Sequence, residues 1–121
     1  MSKQRIRLGK TGEDIAVSYL QQKGLTIITR NYRDKFGEID IIAADNGTIV
    51  FVEVKTRRSD HFGLPAEAVT ASKQQQIIRV ANNYLARRRL LDEPARFDVI
   101  AIIMKSATPE ITHLVSAFET G

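Results

Sequence analysis

The sequence predicts an α/β protein with the element order α-β-β-β-α-β and a mixed sheet flanked by two helices. Apolar residues recur at helical spacing in two stretches, one ending at Gly24 and one running from Thr70 to Arg89. Between them, three segments rich in β-branched residues follow one another through short turns, the pattern of an antiparallel meander. After the second helix, Arg96 to Met104 (RFDVIAIIM) is almost continuously apolar, as expected of a strand buried on both faces. A strand reached through a helix joins its sheet parallel to its neighbour.

Residues 1–8, with Lys3, Arg5 and Arg7, read as a flexible basic arm. Thr11-Gly12-Glu13-Asp14 resembles a capping box, and Gly24 is a suitable stop, so the first helix is expected between them. Ile15, Ala16, Tyr19 and Leu20 form its apolar stripe, and Glu13 lies on the inward edge of that stripe. A glutamate there either complements the helix dipole or faces the sheet as a site carboxylate. Leu25 to Tyr32 reads as the first strand, Glu38 to Ala44 as the second and Thr48 to Thr56 as the third. Thr56 to Glu67 is a polar loop broken by Gly63 and Pro65, and its His61 reads as a surface residue. The second helix begins around Thr70-Ala71-Ser72, with Ser72 and Gln75 as a capping pair and Ile77, Val80, Ala81, Tyr84 and Leu85 as the buried stripe. That stripe carries Lys73 toward the sheet in the first turn, where a cation opposes the dipole; it pairs with an acidic group or a phosphate, or its stem snorkels to water. Asp92-Glu93-Pro94 stops the helix after Arg87-Arg88-Arg89. Ile111 to Val115 is a short last strand, and Ala117-Phe118 folds back onto the core.

The second and third strands carry the chemistry. Asn46-Gly47 is a strong signal for a two-residue turn with positive φ at both positions. In that register Asp45 pairs with Thr48, Asp40 with Glu53 and Glu38 with Lys55, all on one face, while Ile39, Ile41, Val52 and Val54 form the core face. A three-residue loop with a bulge would shift this register. Directly opposed carboxylates destabilise a hairpin. A raised pKa, partial compensation by Lys55, or a shared divalent cation relieves the repulsion. A solvated acidic strand face is the plain alternative.

The chain has 121 residues and no cysteine, which fits one domain spanning 1–121 and excludes disulfides and thiolate metal sites. The basic N-terminus is followed by no apolar run, so no signal peptide is expected, and the apolar run Val99 to Met104 is too short for a bilayer. These features point to a cytoplasmic protein without membrane contact. A net charge of +4 favours polyanionic partners, nucleic acid first. Among five phenylalanines and three tyrosines the sequence displays no evident platform for base stacking.

Asp40 followed on the next strand by Glu53-Val54-Lys55 resembles the PD-(D/E)xK restriction-endonuclease-like superfamily. Further blocks extend the likeness over nearly the whole chain: Gly12-Glu13, Asn31-Tyr32-Arg33, Gly37-Glu38-Ile39-Asp40, Phe51 to Arg57, Val69 with Lys73, and Arg96-Phe97-Asp98-Val99. Together they resemble the small bacterial YraN family, itself similar to archaeal Holliday-junction resolvases. The resemblance implies a restriction-endonuclease-like α-β-β-β-α-β core and a Mg²⁺- or Mn²⁺-dependent endonuclease acting on DNA, branched DNA above all. It implies Asp40 and Glu53 as metal ligands with Glu13 assisting, and Lys55 as the catalytic lysine. Read from their chemistry, Arg57 and Arg58 either clamp phosphates or form a solvated loop end, and with Arg33 and Lys73 they make up the expected nucleic-acid contacts. Ile39 stands where many superfamily members have proline. Resolvase relatives work as two-fold dimers, which makes a homodimer an expectation, with the tail around Phe118 as one candidate surface. The alternative is a nucleic-acid-binding accessory protein of the same fold with little or no hydrolysis.

Overall fold

A computed structural model describes residues 3–58, 69–105 and 107–119, with side chains from Lys10 onward; the loop residues His61, Phe62, Gly63 and Pro65 lie outside the described residues. The elements are α1 (Lys3–Gln22), β1 (Thr26–Asp34), β2 (Gly37–Asp45), β3 (Thr48–Arg57), α2 (Ala71–Arg87), β4 (Ala95–Ile103) and β5 (Glu110–Phe118). The five strands form one sheet in sequence order. Pairing is antiparallel except between β3 and β4, which run parallel on either side of the α2 crossover. Among the described residues no helix is long and apolar enough to cross a membrane.

α1 corrects the expected basic arm, because it begins at Lys3 and Thr11 therefore lies inside it rather than at its cap. No proline interrupts residues 3–11, so nothing stops the helix from propagating backward past the expected cap. Gly12 serves packing there instead: a Cβ at this position would sit 1.8 Å from Thr56 Oγ1, so only glycine lets α1 approach β3 this closely. The helix stops as expected, with Gly24 at φ 92 and Leu25 N–H donating to the Leu20 carbonyl at 3.0 Å. α2 is capped by Thr70, whose hydroxyl accepts from Lys73 N–H at 3.2 Å, two residues earlier than the expected Ser72.

Each face of the sheet buries its own cluster. Against α1 lie Ile41, Ala43, Val50, Val52, Ile100 and Ile102 with Ala16 and Leu20. Against α2 lie Ile39, Ile42, Phe51, Phe97 and Val99 with Ile77, Val80, Ala81 and Tyr84. Phe118 stacks on Phe97 with centroids 5.1 Å apart, so the tail proposed as a dimer surface packs within its own chain.

Candidate active site

The hairpin register agrees with the one read from the sequence. Asn46 and Gly47 have φ 49 and 90, the two-residue turn, and pairing runs from Asp45–Thr48 to Ile41–Val52. There the β2–β3 ladder ends, and the next position is Asp40. Its carboxylate takes the place of a strand carbonyl, accepting the Val54 N–H at Oδ2 over 2.8 Å. On the other side of β2, Asn31 lies between the pairs Arg30–Ile41 and Tyr32–Ile39 and has φ 53. The β2–β3 pairing stops here while the β1–β2 pairing continues. Ile39 consequently enters the α2-side cluster while Ile41 stays on the α1 side, which corrects the expectation that both share a face with Val52 and Val54. Glu38 also departs from its expected place opposite Lys55: it pairs across β1 with Arg33, Nη2 to Oε2 at 3.2 Å.

Asp40 and Glu53 nevertheless meet. Glu53 is 6% exposed, and its Oε2 is buried without a hydrogen-bond donor among the described residues. The Lys73 ammonium lies 3.8 Å from Oε2, too long for a hydrogen bond. Burial, followed by hydrogen bonding to Glu53 and the charge of Glu53, pushes the Asp40 carboxyl from 3.8 up to about 8, although the Val54 N–H and Lys73 pull the other way. One of the two carboxyls therefore holds a proton near neutral pH unless a cation replaces it. Lys55 is half-buried two residues beyond Glu53 on β3, about 7 Å along the strand. Arg57 and Arg58 follow at the strand end, with Arg58 exposed.

Glu13 is not part of this pair. It belongs to α1, and its Oε1 accepts from Arg30 at 3.1 Å and from the Asn31 amide at 3.0 Å. Arg30 also binds Asp14 at 2.6 Å. Among the described residues no group of three or more acidic, histidine or cysteine side chains is placed to hold a metal ion, and Glu13, expected as an assisting ligand, is engaged with Arg30 and Asn31. The cause is competition: the Arg30 guanidinium draws Glu13 toward β1. Of the expected nucleic-acid contacts, Lys73 faces the carboxylate pair and Arg33 is 72% exposed on β1, engaged with Glu38.

A second buried acid, absent from the sequence reading as a site, lies on β4. Asp98 is fully buried. It accepts from Arg96 Nε at 3.1 Å, from Ser116 N–H at 3.0 Å and from His113 Nε2 at 2.8 Å. Arg96 continues to Asp45 at 3.0 Å, and His113 Nδ1 lies 3.2 Å from the Tyr19 hydroxyl. Burial alone would raise the Asp98 carboxyl, but the hydrogen bonds from His113, Arg96 and Ser116 hold it below its ordinary value. The network spans the irregular pairing between Phe97 and Val99 on β4, and Ser116 on β5 has φ 52 there.

Comparison with known proteins agrees over the whole of this framework. The model of the family described as "Uncharacterised protein family UPF0102" matches residues 12–102. The chain is 55% identical to a "UPF0102 protein" of Geotalea uraniireducens over 93% of its length and 89% of the relative's. It is 51% identical to one of Geobacter metallireducens over 98% of both chains, and 46% identical to one of Persephonella marina over 92% of both. The splayed hairpin with its paired acids, the glycine that seats α1 and the buried acid of β4 thus all fall within the matched region, and the chain belongs to the UPF0102 family.

Proposed function

We propose that this protein is a divalent-metal-dependent endonuclease that hydrolyses DNA phosphodiester bonds, with branched or otherwise structured DNA as its substrate. The observation that carries this reading is the Asp40–Glu53 pair, two carboxylates at one spot with one buried oxygen that has no donor among the described residues. Oxygen-rich, incompletely neutralised sites of this kind suit Mg²⁺ or Mn²⁺, and Asp40 and Glu53 are the residues that would hold the ion. When bound, such an ion neutralises charge on a phosphoryl oxygen and acidifies a water. Lys55, on the same strand, stabilises negative charge developing at the phosphorus and orients the attacking water. Lys73 offsets the charge of Glu53 from the α2 side. Arg57 and Arg58 lie at the end of β3, where guanidinium groups hold flanking phosphates. Glu13 acts as a positioning residue, tying Asn31 beside Asp40.

A panel of four-way junction, flap, linear duplex, single strand and RNA, each with Mg²⁺, Mn²⁺ or EDTA, tests the reading. Cleavage of structured DNA that needs metal and disappears in Asp40→Asn is the expected result. Metal-independent cleavage, or full activity in Asp40→Asn, overturns it. The withdrawal of Glu13 to Arg30 favours a second reading, a nucleic-acid-binding accessory protein of nuclease fold. That reading predicts salt-sensitive DNA binding without cleavage under any metal.

A further inference from the structure

We propose that the outer surface of α2 beside the β1–β2 turn is a subsite for one unpaired nucleotide of the DNA strand held at Asp40 and Glu53; the proposal rests on the nuclease reading above. The Arg79 guanidinium carbon lies 3.5 Å from the centroid of the Phe36 ring, a stacked cation–π pair, and the Lys35 ammonium lies 5.2 Å from the same ring. Arg79 is exposed and Phe36 half-buried, so the guanidinium is a flat plate backed by an aromatic ring and open toward solvent. Phe36, Gln75, Gln76 and Arg79 line an open cavity of about 220 Å³.

The chemistry of that cavity matches a nucleobase. Bases stack on guanidinium planes and aromatic rings, and carboxamides present the donor–acceptor pairs that base edges require. Among the described residues, no carboxylate lines the cavity to repel a phosphate. The platform is also fixed in place. Asp34 accepts the Phe36 N–H at 2.7 Å and the Asn83 amide at 3.3 Å, locking the turn to α2. The Gln76 side chain packs on Gly37, where a Cβ would stand 2.8 Å from it.

The position fits a substrate strand. Gly37 precedes Asp40 by three residues, and Lys73, which faces Glu53, precedes Arg79 by six on the same helix. That places Arg79 about 9 Å along the α2 axis from the acidic pair's cation. The span is roughly two to three phosphates of a stacked strand. Base faces inside intact duplex are covered by their neighbours, so a stacking plate here selects DNA with an unpaired nucleotide near the cut.

Fluorescence anisotropy in EDTA separates this from general charge attraction. A blunt duplex and the same duplex with a short single-stranded tail are titrated against wild type, Arg79→Ala and Arg79→Lys. Both variants are expected to lose about tenfold in affinity for the tailed DNA, with a much smaller change on the blunt duplex. Arg79→Lys is decisive, since lysine keeps the charge and lacks the plane. If it binds the tail like wild type, or if Arg79→Ala weakens both DNAs equally, Arg79 is only a charge and the subsite is wrong. Wild type that cuts DNA while the Arg79 variants keep the tail preference overturns the subsite alone. Wild type that binds neither DNA overturns the nuclease reading with it. An unchanged melting temperature in both variants confirms that folding is not the cause.

Discussion

Asp98 on β4 and the Asp40–Glu53 pair on β2 and β3 are both acids removed from water in the middle of one sheet, yet they are treated in opposite ways. Asp98 receives hydrogen bonds from Arg96, His113 and the Ser116 N–H, and its carboxyl is held low. Asp40 receives one backbone N–H, Glu53 Oε2 receives none, and the Asp40 carboxyl is driven up to about 8. Burial costs each acid alike. At Asp98 the fold supplies the compensation, and the acid stabilises. At Asp40 and Glu53 the fold supplies less compensation, and the pair is held together at the expense of stability.

This contrast breaks most easily at Asp98. Asp98→Ala removes the acceptor shared by Arg96, His113 and the Ser116 N–H, leaves the half-buried Arg96 guanidinium with Asp45 alone, and is expected to cost about 3 kcal/mol in urea unfolding. Asp40→Asn in EDTA is expected to raise the urea midpoint, and a loss comparable to that of Asp98→Ala would erase the distinction. Next in size is metal. Mg²⁺ or Mn²⁺ at a hundredfold excess over Kd should stabilise wild type by about 2.7 kcal/mol and leave Asp40→Asn and Glu53→Gln nearly unmoved. Equal shifts in all three proteins would place the ion elsewhere.

The pH dependence of the two acids is expected to have opposite signs. A carboxyl raised in the folded state binds its proton more tightly there than in the unfolded chain. The Asp40 contribution is therefore complete below pH 3.8 and is lost as pH rises toward and through about 8. Asp98 is depressed, so its contribution is present above its ordinary value of 3.8 and is lost on acidification below it. Melting curves in EDTA should show wild type falling behind Asp40→Asn from pH 4 to 8, and Asp98→Asn approaching wild type only at low pH. The smallest effect belongs to Lys73, a partly exposed cation at 3.8 Å from Glu53. Lys73→Met is expected to cost under about 1 kcal/mol at neutral pH, and less once Asp40→Asn has removed the excess charge. An undiminished cost in that background would mean that Lys73 acts through packing.

Much of this was legible in residue order. The Asn46-Gly47 turn determines the register, and the register brings Asp40 to Glu53, because each rests on local backbone geometry. Lys73 was legible because the α2 stripe, extended one turn, points it at the sheet. Ile39 was not, since it lies where β2 has parted from β3 while keeping its pairing with β1, and a simple two-strand alternation does not foresee that change. For Glu13 the helix face was readable, while its bond to Arg30, seventeen residues away, was not. The Asp98 network and the Phe36–Arg79 stack depend on residues from separate elements meeting in space. Arg96 and Asp98 in an otherwise apolar strand were the only local hint of the first, and nothing in composition marked the second.

The hydrogen bond from Val54 to Asp40 makes that aspartate a piece of the seam between two strands as well as a chemical group. A substitution by alanine would silence the acid and at the same time orphan an amide in the centre of the sheet, so lost activity and a loosened scaffold would arrive together. Asparagine keeps an oxygen where the amide points. Under the proposed nuclease function, a form intended to hold an uncut substrate is best built with that exchange, which leaves the seam closed.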